Sequence, residues 1–60
     1  MKQRELTLVI LSRILHDGAV INANAVRQIA AEHNVSERMV YRSKQEIKDH
    51  LPAEYWKDRL

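Results

Sequence analysis

The sequence predicts an all-α fold, a three-helix bundle followed by a short C-terminal helix, and three observations predict it. Apolar residues recur at three- and four-residue steps through most of the chain. The single glycine, Gly18, and the single proline, Pro52, stand at the ends of periodic runs and not inside them. Residues able to cap a helix, Asn22, Asn24 and Ser36, stand at the starts of the second and third runs. The expected helices span about residues 3–16, 24–33, 36–50 and 53–59, all within one domain covering 1–60. Amphipathic helices joined by connectors this short bury their apolar stripes only by packing on one another.

In the first helix Leu6, Val9, Ile10, Leu11, Ile14 and Leu15 form the apolar stripe, and Leu8 widens it. Gly18 stops it, because glycine enters the left-handed region without steric cost. Ala19 to Asn22 reads as a connector, and Asn24, or alternatively Asn22, caps the second helix by accepting from an early backbone N–H. That helix turns Val26, Ile29 and Ala30 inward and ends at Asn34, the non-glycine residue that best tolerates positive φ. Ser36 caps the third helix, and Glu37 suits the positive end of its dipole. Its inward face is Val35, Val40, Ile47 and Leu51, with Ser43 read as a small gap. Pro52 ends the third helix and can open the tail helix.

Size and composition exclude several classes of function. A chain of 60 residues buries only about 60% of the surface its unfolded form exposes, so the core is thin. With no cysteine there is no disulfide to reinforce it, which suits a reducing compartment; the expected location is cytoplasmic, associated with the nucleoid. The longest apolar run, Leu8 to Leu11, is far too short to cross a bilayer, and Lys2 and Arg4 precede no secretory h-region. A catalytic or small-molecule cleft of about 300–1,000 Å³ needs more wall than this chain supplies, so neither an enzyme nor a cofactor is expected. His16, His33 and His50 are evenly spaced, but each falls in the last turn of a helix and their spacing matches no zinc motif, so no metal is expected. The carboxylates scatter over polar faces, and Ser12, Ser36 and Ser43 have no base and orienter in reach of the pattern. A formal charge of +2 permits nucleic-acid binding without requiring it.

The run Ala30-Ala31-Glu32-His33-Asn34-Val35-Ser36, continued by Met39-Val40 and Arg42, resembles the helix-turn-helix pattern of bacterial and phage regulators. In that pattern a small residue in one helix is followed by a turn at positive φ, then Val-Ser, then a Met/Thr-Val pair. Ala30 is small where two helices cross nearly in contact, Val35 plugs their corner, and Ser36 starts the recognition helix. Upstream, Ile10, Ile14 and Leu15 followed by Gly18 and Ala19 resemble the first helix of trihelical and winged-helix regulators. The resemblance covers roughly residues 6–50 and departs from the pattern at two places: Asn34 replaces the usual glycine, and Ser43 stands where an aliphatic residue is common. Nothing after Pro52 reads as a β-hairpin wing, so the plain trihelical form is expected.

The resemblance implies that helix 36–50 lies in the major groove of double-stranded DNA. Base contacts would then come from Glu37, Arg38, Tyr41, Arg42 and Gln45, and phosphate contacts from Arg27, Ser36, Lys44 and Lys48. The implied function is transcriptional regulation, as by a repressor on its operator, or alternatively DNA recognition within a phage terminase, recombinase or replication protein. A trihelical protein-interaction adaptor is the competitor from another class, in which the basic residues are only a solvated face with Arg42 and Glu46 paired along the helix. Tyr55 and Trp56 either pack back onto the domain near Ser43 or Ala19, or form a homodimer contact.

Overall fold

A computed structural model describes all of residues 1–60. Three α-helices, α1 (Gln3–Asp17), α2 (Ala23–His33) and α3 (Glu37–His50), are followed by a 3-10 turn at Ala53–Tyr55, and there are no strands. No helix is long and apolar enough to cross a membrane. Leu6, Ile10 and Ile14 of α1, Val26, Ile29 and Ala30 of α2, and Val40 and Ile47 of α3 converge in one core, joined by Ile21 from the α1–α2 connector. α1 and α3 run in the same sense, with Gln3 beside Met39 and Ser43, and Thr7 beside Glu46.

The helix ends follow local chemistry. Gly18 closes α1 at φ 62°, and a side chain there would be strained on that ground alone. Asn22, and not Asn24, caps α2: its side chain accepts from the Ala25 N–H at 2.9 Å, while Asn24 accepts from Arg27. Asn34 closes α2 at φ 53°, the only non-glycine residue with positive φ. The Val35 N–H then donates to the Ala30 carbonyl and the Asn34 N–H to Ala31, the paired bonds of a Schellman cap. Val35 folds onto the core behind that turn. Ser36 caps α3 by accepting from the Met39 N–H at 3.2 Å. Asn34→Val should lower stability by about 1–2 kcal/mol, because a β-branched residue is strained in this conformation. Asn34→Gly should melt no lower than the parent in a thermal scan, and a lower melting point would show that the asparagine side chain itself matters.

Four readings of the sequence need correction. Leu8 and Leu15 are exposed and Val9 and Leu11 only half-buried, because the row turned toward α3 is Gln3, Leu6, Thr7, Ile10 and Ile14. Ile21, read as connector, is fully enclosed. Ser43 is not a gap: it is wholly buried and hydrogen-bonded to Gln3 and Thr7 across the α1–α3 contact. The tail does not continue helically to residue 59, since its amides bond in short turns onto Ala53 and Trp56, and so short a segment does not hold an α-helix by itself.

What orders the tail is its docking on the α1–α2 connector. The Ile21 N–H donates to the Arg59 carbonyl at 2.7 Å, and the Arg59 guanidinium donates to the Gly18 carbonyl at 2.8 Å. The Trp56 indole N–H donates to the Leu51 carbonyl at 3.0 Å, and Trp56 and Leu60 lie against the core. Trp56 thus covers the end of α3, while Tyr55 beside it stays half-exposed. Trp56→Ala should cost about 2 kcal/mol, from lost apolar contact and one hydrogen bond, read as a lower urea midpoint. A neutral outcome would mean that the tail is an ornament on a self-sufficient bundle. Arg13 and Glu32 pair at 2.6 Å and link α1 to α2. The hydrogen bond and charge of Arg13 hold the Glu32 carboxyl below its usual pKa.

Candidate nucleic-acid interface

α3 is fixed from behind on two flanks. Toward α1, Gln3 Nε2 donates to the Met39 carbonyl at 2.8 Å and also to Ser43 Oγ. Thr7 Oγ1 lies 2.8 Å from Ser43 Oγ and 2.7 Å from Glu46 Oε2. A hydroxyl carries one proton, and every atom is satisfied when Gln3 donates to Ser43, Ser43 to Thr7, and Thr7 to the Glu46 carboxylate. Toward the connector, Lys44 Nζ donates to the Ile21 carbonyl at 2.8 Å. Burial, helped by the neighbouring Lys48 charge, pulls the Lys44 pKa below its usual value.

With those flanks held, the opposite side of α3 faces solvent. Glu37, Arg38, Tyr41, Arg42 and Gln45 are all exposed there, at spacings that place them along one side of the helix. Arg38 and Arg42 open with Gln3 and Met39 onto a shallow cleft of about 270 Å³, where the start of α1 meets the first two turns of α3. Gln45 donates to Asp49 at 2.9 Å, one turn along the helix. The Tyr41 ring lies 5.3 Å from the Lys44 ammonium, and the side chain is about half exposed. Glu37 occupies the first turn beside the Ser36 cap.

The residues expected at phosphates are dispersed. Ser36 uses an oxygen lone pair as the cap and keeps its hydroxyl proton for a further acceptor. Arg27 is exposed on α2 and bonded to Asn24. Lys48 is exposed with its ammonium 5.9 Å from the Trp56 ring. Lys44 departs from the expectation, because its ammonium is drawn inward to a backbone carbonyl and ties α3 to the connector. Sequence reasoning missed Gln3, the α1 residue that opens onto the same cleft as the two arginines. Its signal was a polar residue one step before Leu6 on the inward row.

His16, His33 and His50 lie in the last turns of three different helices, and no three His, Asp or Glu side chains gather where they could share a metal ion. The Arg42–Glu46 pairing considered for a merely solvated face does not form, since Glu46 accepts from Thr7 while Arg42 stays exposed. Comparison with protein-family models, with curated proteins and with solved structures finds no match to this chain.

Proposed function

We propose that this chain is a sequence-specific double-stranded DNA-binding domain of the helix-turn-helix type. α2, the Asn34–Val35 turn and α3 form the motif, and α3 enters the major groove. The observation that carries the reading is the exposed row Arg38, Tyr41, Arg42 and Gln45 on a helix whose opposite row is locked into the core. Long donor-bearing side chains on a rigid helix are what base-edge recognition needs. Arginine reads guanine O6 and N7 as a fork, and glutamine reads adenine N6 and N7 once it releases Asp49. Ser36, Arg27 and Lys48 hold phosphates and set the register without reading sequence. Occupying an operator in this way regulates transcription by blocking or recruiting polymerase.

Selection of bound duplexes from a randomised library, at two salt concentrations, tests the proposal. A defined motif should be enriched, and affinity should fall steeply as salt rises, because each phosphate contact releases condensed counterions. No enrichment, with weak binding at both salts, would favour a protein-interaction adaptor instead.

A further inference from the structure

The first turn of α1 lies along the first half of α3, because Gln3 donates to the Met39 carbonyl and to Ser43, and Thr7 donates to Glu46. Two openings follow that seam. Arg38 and Arg42 share the one at its head with Gln3 and Met39, and Arg4 lines the next, a groove of about 350 Å³ that also reaches Glu46 and His50. With Gln3 bonded to Ser43, their neighbours Arg4 and Arg42 come level with each other across the seam. They share one face of it, since Arg42 is one turn before Glu46 and Glu46 lines the Arg4 groove. All three arginines are exposed, and none forms an ion pair. Glu46 is the only carboxylate lining either opening, and it accepts from Thr7. Like charges gathered without a counterion repel one another, and a bound polyanion turns that cost into attraction.

We propose that Arg4 holds a phosphate of the duplex backbone beside the groove that α3 enters, which makes α1 part of the interface. The inference rests on α3 being the reading helix. The major groove admits one α-helix, so a neighbouring helix lies over its edge, where the phosphates run. A guanidinium reaching from α1 on the Arg42 side meets that edge and matches a phosphate as a fork. Its footing is fixed, since two hydrogen bonds from Gln3 tie the residue before it to α3. On the other flank of α3, Lys44 turns inward to the Ile21 carbonyl. Arg4 thus supplies on the α1 flank the backbone contact that Lys44 withholds on the connector flank. A phosphate held there also fixes how far Arg38 and Arg42 enter the groove, so Arg4 sets register without itself reading a base.

Arg4→Ala in the full chain tests the proposal, by fluorescence anisotropy at several salt concentrations. The fold should not change, because Arg4 is exposed and unpaired. Affinity should fall on the selected duplex and on a scrambled one alike, and the salt dependence should lose one phosphate's worth. Between about 50 and 200 mM salt the variant should therefore weaken about threefold less than the parent. Lys57→Ala, which removes one charge from the exposed tail, should leave the slope nearly as it was. Duplexes carrying a single methylphosphonate identify the contact: one neutralised phosphate that weakens the parent should cost Arg4→Ala nothing further. A parent that binds no duplex removes the DNA-binding reading and this proposal together. A parent that binds, with an unchanged slope in Arg4→Ala, overturns this proposal alone. So does a variant that still loses affinity at every methylphosphonate to which the parent responds.

Discussion

Replacing Arg42 with alanine should lower affinity for the selected duplex by about 5- to 150-fold, the loss that corresponds to about 1–3 kcal/mol for one bidentate base contact. Helical content and melting temperature should not change, because the Arg42 side chain is exposed and makes no intramolecular hydrogen bond or ion pair. Loss on a scrambled duplex should be smaller, since a base contact discriminates while a phosphate contact weakens every sequence alike. Arg42→Lys should recover little of the specificity, as a single ammonium cannot reproduce the fork of a guanidinium. Lys48→Ala provides the contrast: it should weaken binding to all duplexes and flatten the salt dependence by one phosphate's worth. These arms separate the reader from a general cation. Titration of both duplexes by fluorescence anisotropy reads them, and unchanged affinity in Arg42→Ala would remove α3 from the role of reader.

The placement of Arg42 was legible because helix ends and α3's inward row are both written in local chemistry. Gly18, Asn34, Ser36 and Pro52 each act through their own backbone or one near neighbour, and each ends or starts an element where its chemistry requires. Once Ser36 fixes the start of α3, the inward positions Val40, Ser43 and Ile47 follow from the helical period, and the exposed row follows from them. α1 was harder. Leucine or isoleucine occupies enough positions around it that the period alone does not choose between the row of Leu6 and Ile10 and the row of Leu8 and Leu15. What chooses is α3, through Gln3 and Thr7, and that is information from a partner helix some forty positions away. Ile21 and Lys44 hid for the same reason: a connector residue is buried, and a lysine turned inward, only because the tail and α3 converge there.

Ser43→Leu should therefore lower stability by about 2–5 kcal/mol, although it restores the aliphatic residue that the helix-turn-helix pattern favours at this place. Two costs add. Ser43 has no exposed surface, so the larger side chain must displace α1 from α3 or adopt a poor rotamer. It also removes the partner that receives Gln3 and that pairs with Thr7, which leaves polar groups at the helix contact to be satisfied elsewhere. A domain of this size commonly commands only about 3–5 kcal/mol in all, so the variant should be largely unfolded at room temperature by circular dichroism. Ser43→Ala isolates the second cost and should lose only about 1–2 kcal/mol, measured by urea unfolding. If the polar row is the cause, then Gln3→Leu and Thr7→Ala, added to Ser43→Leu, should recover part of the loss, since neither replacement leaves a donor without an acceptor at the contact. A Ser43→Leu variant that melts higher than the parent would show instead that apolar packing alone holds α1 against α3, and that the row from Gln3 to Glu46 is incidental to the fold.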